Sequence, residues 1–232
     1  MCSIVAANRQ DGLDLVFFEN RDRPREPFIG NDVRRIGDVV GIYDFRARGI
    51  ACGYSLKSGT AGGVANIIGY TGSKSRGVVL LRALEEGRSA RDAAQIIERE
   101  VTGGEYSSGR YVLCDEKSIV SLESFGTNVH HDGGAKSKFV VTTNHFHKLR
   151  AGMRLENSVL REKYLQTLGE NITEEAIIKL ATKHRNPAIC RPGRTLSSFI
   201  VFKKPAQPPR ILYSLGEPCK GYKELPRKTI SI

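Results

Sequence analysis

The order of the predicted elements constrains the fold of this chain more than any other feature. Short apolar runs separated by glycines and polar turns predict strands through residues 1–70. Two helical segments follow, then further strands, two more helical segments and two closing strands. Hairpin-type connections favour antiparallel sheets with helices packed outside. We therefore expect an α+β fold, a single domain over residues 1–232, in which two antiparallel sheets are stacked between helical layers.

Turn and cap residues give the clearest boundaries. Apolar runs at 3–7 and 13–18 flank Asp11-Gly12, which is typical of a hairpin turn. Ser89, with Asp92 three residues later, predicts a helix start, and Gly103-Gly104 ends that helix. The other predicted helices cover 78–86, about 155–168 and a segment after 173, and the other predicted strands cover 39–45, 50–56, 61–68, 110–114, 118–123, 138–143, 196–202 and 210–215.

Cys2 follows the initiator Met1 directly, and this position is the main functional signal. Removal of the methionine would leave a chain that begins with a thiol and a free α-amine on one residue. An α-amine has a pKa of about 7.7–8.0 and is partly neutral near pH 7, so it can act as the base for the thiol. The competing interpretation is a chance cysteine at the second codon.

Composition and charge restrict the class of protein and its partners. The 232 residues, 40% hydrophobic and 26% charged, suit a globular chain with a substantial core. The net charge of +11 attracts anions, but aromatic residues do not interleave with the basic ones, which argues against nucleic acid as the main partner. Five scattered cysteines form no disulfide pattern, and neither a secretory leader nor a long apolar run is evident. We therefore expect a cytoplasmic protein without membrane association.

Three strand ends carry polar residues that suit amide chemistry. Arg21 and Asp22 end the second strand of the first hairpin, which returns them beside Cys2. Asp22 is predicted to orient the α-amine, and Arg21 to stabilise an oxyanion or bind a substrate carboxylate. Asn66 and Asn144 each end an apolar strand, where an amide N–H can donate to a developing oxyanion. Exposed strand-end charges and Asx turns are the competing interpretations.

The sequence predicts neither a metal site nor a cofactor. His145 and His147 form a His-x-His pair downstream of His130-His131, but no cysteine or carboxylate supplies an obvious further ligand. No glycine-rich phosphate loop of either common pattern is present. Cys52 and Cys114 are expected to be buried free thiols.

Several stretches of the chain also match a known family in order and approximate spacing. Between 143 and 222 these stretches are Thr143-Asn144-His145-Phe146, Asn157-Ser158 with Arg161 and Tyr164, Ile189-Cys190-Arg191, Thr195-Leu196-Ser197-Ser198 and Gly216-Glu217-Pro218-Cys219-Lys220-Gly221. Together they resemble the acyl-coenzyme A:isopenicillin N acyltransferase-like family of the N-terminal-nucleophile hydrolases. Asn20 and Asp22 also fit the Arg-Asn-x-Asp pattern of the related choloylglycine hydrolases, with Glu19 at the arginine position. Asn20-Arg21-Asp22 is similar to the NRDE-type proteins of the same superfamily.

The resemblance implies a four-layer αββα fold and amide-bond chemistry through a thioester acyl-enzyme. Cys2 would attack the substrate, and its own amine would act first as base and then as acid. Asp22 would position that amine, while Asn144 and Asn66 would hold the oxyanion. Arg194, just before the Thr195 strand, is a further candidate for substrate binding.

The implied activity is that of an amidohydrolase or acyltransferase on a non-peptide or small-peptide amide. The partner would be a small-molecule amide, with no cofactor. An acyl-coenzyme A donor is compatible with this chemistry, although no motif supports it, and a homo-oligomer is compatible with the sequence. The alternative is a non-catalytic ligand-binding protein on the same scaffold, because some NRDE-type relatives are linked to haem handling rather than hydrolysis.

Overall fold

The computed structural model describes residues 2–10, 12–22, 30–131, 138–145, 156–169, 172–185, 188–226 and 229. In chain order its elements are β1 (Cys2–Gln10), β2 (Leu13–Asp22), β3 (Asn31–Ile36), β4 (Val39–Asp44), β5 (Gly49–Ser55), β6 (Ala61–Asn66), α1 (Arg76–Glu86), α2 (Ala90–Val101), β7 (Gly109–Cys114), β8 (Ile119–Phe125), β9 (Asn128–His131), β10 (Phe139–Thr142), α3 (Glu156–Gln166), α4 (Glu174–Ala181), β11 (Thr195–Lys203), β12 (Arg210–Ser214), a 3-10 turn (Pro218–Lys220) and β13 (Lys223–Glu224).

These strands form two antiparallel sheets. The first has the order β10-β1-β2-β11-β12-β13 and the second the order β3-β4-β5-β6-β7-β8-β9. Helices α1 and α2 share an apolar core with the second sheet, and α3 and α4 share another with the first. The arrangement confirms the predicted α+β fold with its four αββα layers. None of the described helices is both long enough and apolar enough to span a bilayer.

The alternation of side chains along β1 and β2 distributes their apolar residues between two cores. Ile4 and Phe17 pack in the inner core, between the two sheets. Val5 and Phe18, one position along each strand, pack in the outer core against α3 and α4. Polar residues on these strands obey the same alternation, and this decides which of them face the space between the sheets.

Two glycines allow α1 to begin directly on top of the second sheet. A Cβ atom on Gly49 of β5 would lie 2.3 Å from the carbonyl carbon of Gly77, and one on Gly77 would lie 2.6 Å from the Ile50 carbonyl oxygen. The Ser75 side chain caps this helix by accepting a hydrogen bond from the Gly77 N–H. The close contact fixes the start of α1, including Arg76, at one end of the sheet sandwich.

Three strands that the sequence did not predict lie at sheet edges. β3, β9 and β13 are short and polar. β3 and β9 are the two edge strands of the second sheet, and β13 is an edge strand of the first. The apolar face of α3 is a second difference, because the sequence predicts it from the helical spacing of Val159, Leu160, Tyr164 and Leu168. Leu160 is 43% exposed, whereas Arg161 and Glu162 are buried, because ion pairs as well as the apolar contacts of Leu165 hold this helix against the sheet.

Candidate active site

A cleft of about 970 Å³ opens at one end of the sheet sandwich. It lies where β1 begins, where β2 and β6 end, and beside the segment that follows β10. All six residues that the sequence singled out line this cleft: Cys2, Arg21, Asp22, Asn66, Asn144 and Arg194. Residues distant in the sequence are therefore brought to one place by the fold. Met1 lies outside the described residues.

Cys2 and the two asparagines are directly connected. The backbone nitrogen of Cys2 donates a hydrogen bond to Asn144 Oδ1. Asn144 Nδ2 in turn donates to the backbone carbonyl oxygen of Asn66 at 2.5 Å. Because a primary amide carries two N–H groups, this bond uses one of the two donors of Asn144. The Asn144 side chain thus links the start of β1 in the first sheet to the end of β6 in the second.

A buried polar network also holds the Asn144 backbone in place. Its backbone N–H donates to Ser158 Oγ at 2.9 Å, and the same oxygen lies 3.0 Å from His145 Nδ1. His145 Nε2 lies 3.3 Å from Glu162 Oε2, which lies 3.8 Å from Arg110 Nη1. Arg110 belongs to β7 of the second sheet, so the network crosses the sandwich. A network of this kind rigidifies the segment that carries Asn144.

The histidines that the sequence analysis considered do not assemble in the described part of the chain. His145 is buried in the network behind Asn144, whereas His130 and His131 lie on the edge strand β9. His131 Nε2 lies 3.1 Å from Glu98 Oε2 of α2. His147 lies outside the described residues.

Asp22 is held by two partners that sequence reasoning did not assign to it. Its Oδ2 accepts from Arg161 Nη2 at 2.9 Å, and its Oδ1 accepts from Thr195 Oγ1 at 2.7 Å. Arg161 is the buried arginine of α3, and it was noted in the sequence only as part of a family resemblance. The described contacts fix the carboxylate beside the start of β1, and the orienting role of Asp22 toward the Cys2 amine stays a prediction.

Arg21 faces Cys2 across the β1–β2 pairing and is held on one side only. Its Nη2 lies 2.5 Å from Asp44 Oδ2, and Asp44 is itself fixed because its Oδ1 accepts the backbone N–H groups of Arg46 and Ala47. Arg21 Nη1 is buried and has no hydrogen-bond partner among the described residues. The Arg21 side chain as a whole lines the cleft.

Glu19 stands where choloylglycine hydrolases carry an arginine, and it is fully buried. Neither carboxyl oxygen has a hydrogen-bond partner in the described part of the chain. Burial raises the pKa of Glu19 well above its usual range, with a smaller contribution from the neighbouring Cys2, while Arg21 opposes the shift. Burial therefore favours the neutral form of the Glu19 carboxyl.

Cationic side chains dominate the lining of the cleft. Besides Arg21 and Arg194, the lining includes Arg46, Lys74, Arg76 and Arg191, against the three carboxylates of Asp22, Asp44 and Glu156. The overall charge of +11 was the only sequence signal for this excess, because the cations come from separate segments. An excess of positive charge in a concave site favours anionic ligands.

The thiols of Cys52 and Cys114 are buried, as expected from the sequence. Burial raises the pKa of both well above the usual range, which keeps these thiols protonated at neutral pH. Cys2 differs from them because it lines the cleft.

Comparisons with known proteins locate the fold. No protein-family model matches the chain, and no curated protein matches it. Among solved structures, the Caenorhabditis elegans ortholog of N-acylethanolamine-hydrolyzing acid amidase superimposes with a TM-score of 0.63 at 14% identity. The match covers 97% of this chain and 100% of that chain. It supports the N-terminal-nucleophile hydrolase fold, and at this identity the likeness is one of fold alone.

Proposed function

We propose that this protein, after removal of Met1, is an N-terminal cysteine amidohydrolase that acts through a thioester acyl-enzyme. The observation that carries the proposal is the hydrogen bond from the Cys2 nitrogen to Asn144 inside the cleft. This hydrogen bond fixes the position of the Cys2 nitrogen, which would become the catalytic base for the thiol of the same residue. The match to an amidase fold is consistent with this chemistry.

The proposed reaction begins with transfer of the Cys2 thiol proton to the α-amine. The thiolate attacks the amide carbonyl carbon, forming a C–S bond and a tetrahedral oxyanion. The ammonium then gives its proton to the leaving nitrogen, and the C–N bond breaks. Water, deprotonated by the same amine, attacks the thioester, releases the acid and restores the thiol. One residue thus supplies nucleophile, base and acid.

The second N–H of Asn144 and the side chain of Asn66 are the proposed oxyanion donors. Both residues line the cleft, and the Asn144–Asn66 hydrogen bond keeps them together. Donors fixed before the reaction stabilise developing charge without reorganisation at the moment of attack. The Asn66 side chain is exposed to the cleft, which leaves it accessible to a substrate.

The cations of the lining favour a small amide that carries an anionic group. Arg21 Nη1 and the rim residue Arg194 are the proposed contacts for that group. The same charges suit the phosphates of an acyl-coenzyme A donor, and this observation supports acyl transfer as the second candidate function. In that case an acceptor amine would take the place of water. The acyltransferase-like family remains part of this proposal.

Intact mass followed by acyl trapping tests the proposal. We expect protein from its native host to lack one methionine, and a thiol-reactive amide to add one acyl group that Cys2→Ala abolishes. Cys52→Ala is the matched control, because it removes a buried thiol elsewhere in the inner core and should leave acylation intact. Retention of Met1 in active protein, or unchanged acylation of Cys2→Ala, would overturn the proposal. Ligand binding that survives Cys2→Ala without any turnover would instead favour the non-catalytic alternative.

A further inference from the structure

Three metal-binding side chains converge outside the cleft. His184 follows α4, Cys190 precedes β11, and Cys219 lies in the 3-10 turn after β12. One ligand atom from each, an imidazole nitrogen and two sulfurs, lies within 4.8 Å of the other two. The cluster was not predicted from the sequence, because its three residues come from separate segments. The histidines that the sequence analysis considered as metal ligands lie elsewhere.

Backbone hydrogen bonds hold the cluster together. The Lys183 carbonyl accepts the N–H groups of Ile189 and Cys190, both at 3.0 Å, which ties Cys190 to the residue before His184. The Cys219 sulfur lies within 4.8 Å of the Cys190 sulfur, which brings the 3-10 turn against the loop before β11. Two of the three ligand segments are therefore fixed relative to the third without a bound ion.

The spacing and donor types suit zinc. A tetrahedral zinc ion bonds sulfur at about 2.3 Å and nitrogen at about 2.0–2.1 Å, which separates its ligand atoms by about 3.5–3.8 Å. That separation lies within the 4.8 Å limit that the three atoms meet. Two thiolates balance the charge of the ion, and a further oxygen donor, Glu217 Oε2, lies 4.0 Å from the Cys219 sulfur.

We propose that His184, Cys190 and Cys219 bind a zinc ion. The ion would join the end of α4, the loop before β11 and the 3-10 turn. That loop also carries Arg191 and Arg194, two cations of the cleft. Zinc would thereby hold the substrate-binding loop in place, and metal binding can be measured whether or not the protein hydrolyses amides.

Metal content and cobalt substitution of the full-length protein test the proposal. We expect one zinc per chain in protein purified without chelator, and thiolate-to-metal charge-transfer absorption when Co²⁺ is added to the metal-free reduced protein. Loss of a residue that only hydrogen-bonds to a metal ligand costs about 10–100-fold in metal affinity, so loss of a ligand itself, in His184→Asn or Cys219→Ser, should weaken zinc binding by about 100-fold or more. Cys114→Ala is the matched control, because it removes a buried thiol outside the cluster and should keep full affinity.

The cobalt spectrum is recorded on the unaltered protein, so it tests the zinc proposal even if a variant fails to fold. Reduced protein that takes up neither Zn²⁺ nor Co²⁺ would overturn the proposal. A disulfide between Cys190 and Cys219 in freshly purified protein, seen as the loss of two hydrogens in the mass, would overturn it too. Zinc uptake that persists unchanged in both ligand variants would show that the metal binds elsewhere and would also overturn the proposal.

Discussion

The backbone nitrogen of Cys2 donates to the side-chain oxygen of Asn144, and the register of the first sheet explains why. β1 and β10 pair so that Ile4 faces Thr142, and the same register carried two residues further places Cys2 opposite Asn144. Strand pairing thus brings the asparagine to Cys2, and the hydrogen bond from its backbone N–H to Ser158 Oγ holds it there. A residue held in this way needs no conformational search to act on Cys2 in the proposed reaction.

Replacing Asn144 by alanine tests this relationship. The change removes the acceptor for the Cys2 nitrogen and a proposed oxyanion donor, so we expect kcat to fall by about 100–1000-fold. Single-turnover acylation followed by mass spectrometry measures the step directly. Asn128→Ala, on the edge strand β9, is the control and should retain full activity. Equal acylation rates in the two variants would show that Asn144 has no part in the reaction.

Ser158 is predicted to act through Asn144. Ser158→Ala leaves the Asn144 N–H and the His145 ring without their shared oxygen, so we expect the free energy of unfolding to fall by about 1–3 kcal/mol. Urea denaturation measures this change. Ser121→Ala is a sharp control, because its buried hydroxyl has no hydrogen-bond partner among the described residues and its loss should cost little. Equal losses of stability in the two variants would contradict the network's role.

The sequence predicts features of this fold that depend on local pattern and misses those that depend on long-range pairing. The hairpin of β1 and β2 was predicted because turn residues separate two apolar runs, and Gly12 adopts the left-handed φ of +75° that such a turn requires. The edge strand β3 was missed because its polar residues have no apolar alternation, and pairing with β4 alone makes it a strand. The buried face of α3 was wrong because Arg161 finds its partner, Asp22, at a sequence separation of 139 residues.

The same distinction applies to the candidate site. Strand-end residues such as Asn66 and Asn144 were predicted because their own strands are apolar. The cleft cations Arg46 and Lys74 were missed, since each lies in a segment with no local sign of function and only the fold brings them together. Residue type and local spacing carry no information about such convergence.

Glu19→Gln is predicted to change how stability depends on pH. The raised pKa of Glu19 means that the folded state binds its proton more tightly than the unfolded chain does. The stabilising effect is complete below the unfolded pKa, about 4.3, and is lost as pH rises from there toward the folded pKa, at about 1.4 kcal/mol for each pKa unit between them. Glutamine removes this loss, so the variant should gain stability relative to the parent at pH 8 but not at pH 4.

Urea denaturation at pH 4, 6 and 8 provides the measurement. Glu175→Gln, an exposed position at the start of α4, is the control and should leave the pH profile of the parent unchanged. Parallel profiles for the parent and Glu19→Gln would contradict the raised pKa and indicate an ionised Glu19 in the folded protein.

Arg194→Gln tests whether the cleft recognises an anionic group. Arg194 is exposed at the rim of the cleft, in the turn that joins Arg191 to β11. A hydrogen bond to a charged group contributes about 1.5–3 kcal/mol, so its loss should raise KM for an anionic amide by about 10–100-fold with little change in kcat. An uncharged analogue of the same amide should show no difference between variant and parent. Arg88→Gln removes the same charge from the α1–α2 connection and is the control for net charge. It should leave KM for both amides unchanged. An equal rise of KM in the two variants would mean that net charge, rather than Arg194, attracts the substrate.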